Sequence, residues 1–133
     1  MKALVIMEEP LEKILAGQKI WEMRKRRCLI RGPIALIRKG SGLVVGTAVI
    51  ADSLAPITDL ASYGKSFRFH RVAKANQRNA FVSGYRFPWL ISRARRLRKP
   101  IPYTHTPGAM SWVTLSPRVA AQLPTRRYTA KET

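Results

Sequence analysis

The stretch Gly17–Arg24, GQKIWEMR, decides the fold because a helix gives way to a strand within it. Ahead of it, apolar residues between Leu11 and Leu15 recur at helical spacing, and a glycine just past such a run is a common helix stop signal. From Lys19 to Arg24 the side chains alternate with the period of a strand. The stretch therefore predicts a short helix, a glycine turn and a strand bearing three charges, Lys19, Glu22 and Arg24.

The three charges of this strand can be assigned to its faces. Glu22 and Arg24 are two residues apart, so they share one face and can form an ion pair, while Lys19 lies near the turn and can reach over either side. An exposed ion pair on a strand contributes little stability by itself. A structural pair and a functional cluster are therefore both open interpretations of the three residues.

Outward from this strand, the two halves of the chain differ in character. The first half is rich in β-branched and apolar runs, and Gly46 within one of them predicts a bulge or a tight bend. The second half contains a basic run, WLISRARRL, that is its best helix candidate. The predicted elements are strands at Lys2–Met7, Ile34–Ile37, Leu43–Ala51 and Ser111–Leu115, with helices at Arg71–Arg78 and Trp89–Leu97.

Length and composition limit the class of protein. A chain of 133 residues with 46% hydrophobic content can build one hydrophobic core without disulfides or structural metal ions. The single Cys28 cannot form an internal disulfide, no run approaches the ~20 apolar residues of a membrane helix, and the start does not resemble a signal peptide. We therefore expect one α+β domain with a small, strongly bent β-barrel, located in the cytoplasm and not bound to a membrane.

The net charge predicts the kind of partner. The chain has 25 Lys+Arg against 7 Asp+Glu, a formal net charge of +18. From Leu60 to Ala130 there is no carboxylate, so the basic side chains of that half have no acidic neighbours in sequence. Such a surface favours polyanions. The most basic stretch, Ser92–Lys99, lacks the wide apolar face of a membrane-surface helix, so nucleic acid is favoured over anionic lipid.

The motif also resembles a known family. A short strand precedes it, a β-rich segment ending at Gly46 follows it, and the pattern itself is Pro10-x-x-x-Ile14-x-x-Gly17-x-Lys19-x-x-Glu22-x-Arg24. In this arrangement the chain resembles the ASCH domain of the PUA-like superfamily. The likeness continues to Asp52 and, more loosely, over Tyr103–Leu115, so it covers most of the sequence.

The resemblance implies a fold and a ligand class. It implies an α+β domain over residues 1–124, a small PUA-like β-barrel with flanking short helices. The sequence itself predicts a flexible basic tail over residues 125–133. It also implies a cleft that binds RNA, most readily single-stranded RNA, or a nucleoside-like ligand. Lys19, Glu22 and Arg24 match the motif positions assigned to that cleft and are the candidate catalytic residues.

The resemblance leaves the activity open. Some bacterial ASCH proteins resemble ribonucleases that act on single-stranded RNA, and another group removes the acetyl group of N(4)-acetylcytidine with a Lys and a Thr of this segment. Here Glu22 stands where the nucleophilic Thr would be, although Lys19 is kept, and no Glu lies between Glu22 and Glu132. RNA binding, with or without ribonuclease activity, is the leading hypothesis. An N(4)-acetylcytidine-type amidohydrolase and a non-catalytic ribonucleoprotein interaction module are the alternatives.

Few side chains outside the motif offer acid–base chemistry. His70 and His105 are the only imidazoles, and each lies where a loop or turn role explains it at least as well as catalysis. The Asp, Glu, Cys and His residues show no metal-ligand spacing, so we expect neither a metal ion nor another cofactor. The sequence leaves the oligomeric state open.

Several further residues are candidates for RNA contact. A basic, glycine-flanked turn can approach a phosphate with its backbone N–H groups, although it also suits an ordinary hairpin with solvated cations. Aromatic side chains can stack bases, and a serine before the last strand can line the cleft from the opposite side. The Arg93–Lys99 cluster is expected as a ridge on a helix that contacts phosphates. The candidates are Trp21, Arg38, Lys39, Ser41, Arg93, Arg96, Lys99, Tyr103 and Ser111.

Overall fold

The computed structural model describes residues 1–124, and the predicted tail, residues 125–133, lies outside them. These 124 residues form six strands and five short helices. The strands are β1 Lys2–Ile6, β2 Trp21–Arg24, β3 Gly32–Arg38, β4 Leu43–Ser53, β5 Phe87–Pro102 and β6 Trp112–Thr114. The helices are α1 Glu8–Leu15, α2 Leu60–Lys65, α3 Phe67–His70, α4 Lys74–Val82 and α5 Pro117–Ala120.

All six strands belong to one curled sheet, a half-barrel, in the order β2-β5-β4-β3-β1-β6. Only the β1–β3 pair is parallel, and the other pairs are antiparallel. Strands β2 and β6 form the two edges. The α+β class and the strongly bent sheet with flanking short helices are therefore confirmed.

The sequence signals around the motif act as expected. Helix α1 buries Leu11 and Ile14 and ends just before Gly17, whose φ of 77° is a left-handed conformation that favours glycine. Gly46 lies at a shift of register between β4 and β5. A Cβ atom at this position would lie 2.7 Å from the carbonyl oxygen of Arg95 and from Cδ2 of Leu15, so the glycine lets helix and strand approach closely.

The predicted helix at Trp89–Leu97 is wrong, because these residues lie in β5, the longest strand of the sheet with 16 residues. Arg, Leu and Ala favour a helix locally. That preference is overridden because β5 pairs with β2 on one side and with β4 on the other, which satisfies its backbone along both edges. The helix predicted at Arg71–Arg78 is shifted and is observed as α4, Lys74–Val82.

The sheet carries a hydrophobic core on each face. Alternate residues of β1 show the division, because Leu4 and Ile6 belong to the first core and Ala3 and Val5 to the second. Helix α1 covers the first core with Leu11 and Ile14, and the chain around α5 covers the second core with Val119 and Leu123. Within residues 1–124, no helix is long and apolar enough to cross a membrane.

Candidate functional site

The three charges of the motif converge at the edge strand β2. A carboxylate oxygen of Glu22 accepts hydrogen bonds from Nε and Nη2 of Arg24, at 3.0 and 2.8 Å. The other oxygen of Glu22 lies 3.8 Å from Nζ of Lys19, on the turn before the strand. The side chains of Lys19, Glu22 and Arg24 are 4%, 9% and 17% exposed, so Arg24 is the member that reaches solvent most. We call these three residues the trio.

Arg24 connects the two edges of the sheet. Its Nη2 donates to the Val5 carbonyl of β1 at 3.0 Å, and its Nη1 donates to the Ser111 hydroxyl, just before β6, at 3.3 Å. Ser111 is itself held by a backbone hydrogen bond from Val5 to its carbonyl. The predicted approach of Ser111 to the motif is therefore observed, across 87 residues of sequence.

Trp89, which the sequence interpretation did not select for the site, lies beneath Arg24 and stacks on Trp112. The guanidinium carbon of Arg24 is 5.5 Å from the ring centroid of Trp89, and Trp89 stacks on Trp112 with centroids 5.8 Å apart. Trp89 pairs with Glu22 in the β2–β5 register. The missed signal was the strand character of β5, because only a strand places Trp89 opposite Glu22.

The inner end of the trio is buried against helix α3. Nζ of Lys19 donates to the carbonyl oxygen of His70. Burial lowers the pKa of the Lys19 ammonium, while the charge of Glu22 opposes that shift. Burial also raises the pKa of Tyr63 to about 12, and the negative charge of Glu22 contributes in the same direction. The trio therefore lies in a region where water no longer screens charges well.

His70 and His105 both have structural partners. His70 is fully buried, its Nδ1 accepts from the Val72 amide at 2.9 Å, and Nε2 must therefore carry the hydrogen that it donates to the Tyr63 carbonyl. Burial lowers the pKa of His70, with a smaller contribution from the charge of Lys19. His105 bonds to the hydroxyl of Tyr103 and the carbonyl of Ala109. Both rings serve local structure, which is the role that the sequence favoured.

The two predicted aromatic walls are separated from the trio. Trp21 alternates with Glu22 along β2, so it faces the other way, and it stacks on Phe69 with ring centroids 4.6 Å apart. Tyr103 packs against the second core, and its hydroxyl bonds to His105. The aromatic ring beside the trio is instead that of Trp89, which lies under Arg24 and stacks on Trp112. Both tryptophans pack in the first core.

The predicted basic turn lies at the same end of β1 as the trio. The amide of Lys39 donates to the Ile6 carbonyl at 2.9 Å, one residue beyond the Val5 carbonyl that Arg24 contacts. The Ser41 hydroxyl is occupied within the turn, because it donates to the Arg38 carbonyl at 2.6 Å. Lys39 is exposed and Arg38 is half-buried, so the turn adds positive charge near this end of the sheet.

The basic cluster Arg93–Lys99 is a segment of strand β5 rather than a helical ridge. Arg93 and Arg96 lie beyond Trp89 along the same strand. At ~3.3 Å per residue, the strand from Trp89 to Arg95 is roughly 20 Å long. Lys99 is exposed near the end of the strand. The cluster and the trio are thus two separate regions of positive charge on one strand and its neighbour.

The chemistry available at the trio follows from its donors and acceptors. Arg24 is held in a fixed orientation because its Nε and Nη2 both donate to one oxygen of Glu22, as suits recognition of a phosphate or a planar polar group. The Glu22 carboxylate is engaged by Arg24 and Lys19, so it is not a free base. Within residues 1–124, no group of three or more His, Cys, Asp or Glu side chains is placed to hold a metal ion.

Comparison with known proteins identifies the fold. The solved structure of ASCH from Zymomonas mobilis is similar with a TM-score of 0.70 and 17% identity over 90% of each chain. Variants of that protein with a Tyr-to-Phe or a Ser-to-Ala substitution give TM-scores of 0.70 and 0.69 at 16% identity, over 91% of this chain and 94% or 92% of theirs. No family model and no curated protein matches the sequence. The resemblance to the ASCH domain is therefore confirmed for the fold.

Proposed function

We propose that this chain, which has the fold of an ASCH domain, binds single-stranded RNA at the cleft where Arg24 bridges the sheet edges β2 and β6. One observation carries the proposal. Arg24 is held by Glu22, lies over the Trp89 ring and contacts Ser111, and it is the most exposed member of an otherwise buried trio. A fixed guanidinium beside an aromatic floor can hold a phosphate or the polar edge of a base.

Each residue of the trio has a distinct part in this proposal. Arg24 contacts the RNA, and Glu22 fixes the orientation of its guanidinium. Lys19 places a second positive charge beside the buried Glu22 carboxylate, with Nζ 3.8 Å from its oxygen. The basic turn at Arg38 and Lys39 adds affinity for the phosphate backbone, which lowers the dissociation constant without selecting a base.

Fluorescence anisotropy with a labelled single-stranded oligonucleotide tests the cleft. The Arg24→Lys variant keeps the positive charge but loses the planar guanidinium group with its several N–H donors. The Ser111→Ala variant removes a single contact of Arg24. We expect weaker binding from both, by about tenfold for Arg24→Lys because a charge-assisted hydrogen bond is lost.

Thr114→Ala is the matched control for Ser111→Ala, because Thr114 is a hydroxyl residue of β6 whose partner is the exposed Lys2. Thermal unfolding of each variant checks that the fold is intact. If Arg24→Lys and Ser111→Ala bind the oligonucleotide as tightly as Thr114→Ala does, the cleft is not the RNA site.

Ribonuclease activity is the second candidate function, and one observation favours it. Burial lowers the pKa of Lys19, which is the direction that a general base working near neutral pH requires. In such a reaction Lys19 takes the proton of the 2′-hydroxyl, the 2′-oxygen bonds to the phosphorus, and the bond from phosphorus to the 5′-oxygen breaks as that oxygen takes a proton from water. Arg24 stabilises the charge that develops on the phosphorus-bound oxygens.

Labelled single-stranded RNA incubated with the intact chain and with Lys19→Met separates cleavage from binding. Cleavage by the intact chain alone supports the ribonuclease, whereas equal cleavage by both points to another site. Release of cytidine from N(4)-acetylcytidine would favour the amidohydrolase instead. Tight binding of structured RNA without turnover would favour an interaction module.

A further inference from the structure

A cavity of about 310 Å³ lies beside the basic segment of β5. Four arginines line it, Arg93, Arg95, Arg96 and Arg98, and we call it the arginine cavity. Its apolar lining includes Leu97 and Leu123, which belong to the second core. The lining also includes Ile34 and Ala48, which belong to the first core, and it contains no residue of the trio.

Three of the four arginines of this cavity have no ion-pair partner among residues 1–124. Arg96 is paired with Glu12 of α1, and Nη1 of Arg96 lies 3.3 Å from a Glu12 oxygen. Among the ion pairs of residues 1–124, none involves Arg93, Arg95 or Arg98. Like charges close together on one strand repel each other. A bound anion would remove that repulsion.

The backbone of β5 is distorted at the arginine cavity. Val49 pairs with Ser92 and Thr47 with Arg95, so three residues of β5 span the length of two on β4, which is a β-bulge. Arg93 occupies the bulge with a φ of 53°, a left-handed conformation that costs about 1–2 kcal/mol for a residue with a side chain. Glycine or asparagine would adopt it more readily. An arginine at this position points to a use for its side chain.

The apolar lining indicates what kind of anion fits. A bare phosphate needs only the guanidinium groups, whereas Pro33, Val49, Leu97 and Leu123 offer a surface to a flat, poorly hydrated group. A nucleotide combines the two, because its phosphate can accept from arginines while its base packs on apolar side chains or on a guanidinium plane.

We propose that the arginine cavity is a second nucleotide-binding site, which takes one nucleotide of an RNA chain with the phosphate on Arg93, Arg95 and Arg98. The proposal rests on the proposed function only in taking RNA as the ligand. The segment that follows Pro124 does not offer the complementary charge, because residues 125–133 contain three basic residues and one acidic residue.

Anisotropy with a labelled single-stranded oligoadenylate and the full-length chain tests the site. The Arg93→Asn variant removes the charge and suits the left-handed backbone, so we expect its thermal stability to be equal to or above that of the parent chain. Its affinity should fall about tenfold. The slope of log affinity against log salt should fall by about 1, as for the loss of one phosphate contact.

Arg95→Ala and Arg98→Ala should weaken binding as Arg93→Asn does. Arg78→Ala is the control, because Arg78 is an exposed cation on α4 away from the cavity. Equal affinities for Arg93→Asn, Arg95→Ala, Arg98→Ala and Arg78→Ala would overturn the proposal. The proposal would also be overturned if Arg93→Asn lost affinity because it unfolds, unless Arg95→Ala showed the same loss of affinity with its fold intact.

Competition identifies the ligand, with inorganic phosphate, adenosine and adenosine monophosphate as probes. The Arg24→Lys background removes the contribution of the cleft. We expect the monophosphate to displace the oligonucleotide better than phosphate or adenosine does, whereas equal displacement by phosphate would overturn a nucleotide site. If Arg93→Asn loses RNA affinity and Arg24→Lys does not, only the cleft proposal fails. If Arg24→Lys loses RNA affinity and Arg93→Asn does not, only the cavity proposal fails.

Discussion

The trio and the arginine cavity use positive charge in opposite ways. At the trio, Lys19 and Arg24 share one carboxylate, and all three side chains are largely removed from water. At the cavity, Arg93, Arg95 and Arg98 have no carboxylate partner among residues 1–124. The two regions differ in burial as well as in pairing.

This difference follows from the cost of desolvation. A buried charge without a partner is expensive, so a buried cluster must be internally neutralised and fixed in geometry, which suits selection of a ligand. Exposed charges are screened by water and can stay unpaired, which suits attraction of a polyanion and gives strong salt dependence. The pairing within the trio is thus suited to selecting a ligand, and the unpaired arginines of the cavity are suited to attracting an anion.

The largest expected effect tests the claim that the trio is a buried, mutually dependent unit. Glu22→Gln leaves Lys19 and Arg24 without a carboxylate, so we expect a loss of about 3 kcal/mol in the free energy of unfolding, measured with urea. The control is Glu12→Gln, which breaks the exposed pair with Arg96 and should cost less than about 1 kcal/mol. Similar losses in the two variants would show that burial does not distinguish the regions.

A smaller effect is expected where the strand of the arginine cavity meets helix α1. Gly46→Ala places a Cβ atom 2.7 Å from the Arg95 carbonyl oxygen and from Leu15, so backbone or helix must move. We expect a loss of about 1–3 kcal/mol, as is typical of overpacking, together with weaker RNA binding at the cavity.

Gly64→Ala is the control for this substitution, because in α2 the new Cβ meets only the flexible side chain of Gln77, at 3.3 Å. Its stability should be unchanged or higher, since alanine favours a helix. If Gly46→Ala is as stable as Gly64→Ala, the close approach at Gly46 does not constrain the strand.

The smallest effect is a pH dependence confined to the trio side of the molecule. Because burial lowers the pKa of His70 below its ordinary value of 6.5, the unfolded chain binds a proton at a higher pH than the folded chain does. Stability is therefore fully present above pH 6.5 and falls as the pH decreases towards the folded pKa, by at most about 1.4 kcal/mol per pH unit for one proton.

Urea unfolding between pH 5 and 7.5 measures this slope. His105→Asn should keep it and His70→Asn should reduce it, and the opposite pattern would contradict the assignment to His70. Affinity at the arginine cavity should not change over the same range, because arginine stays charged. A parallel loss of affinity would show that the two regions are coupled.

Local patterns predicted most of the first half of the chain. The glycine turn, the alternating strand and the β-branched runs gave α1, β2, β3 and β4 close to their observed bounds, because local geometry and burial agree there. The trio also followed from spacing, since Glu22 and Arg24 share a strand face. Ser111 was placed near the motif by the family resemblance and not by local chemistry.

Strand β5 is where local reasoning failed, and the aromatic floor was missed with it. The run WLISRARRL has helical residues, but two neighbouring strands supply its backbone partners. With β5 taken as a helix, neither Trp89 beneath Arg24 nor the bulge at Arg93 could be predicted. Tyr103 was expected at the cleft and lies instead against the second core, because the sheet separates the two faces.

The sequence alone determined the turn from helix to strand, the charged face of β2 and the net charge of +18, because each depends on neighbouring residues or on composition. Only the tertiary structure decided that Arg24 would join the two edges of the sheet, that Trp89 would lie beneath it and that three arginines would stay unpaired around a cavity. These features depend on strand order and register, which bring together residues that are distant along the chain.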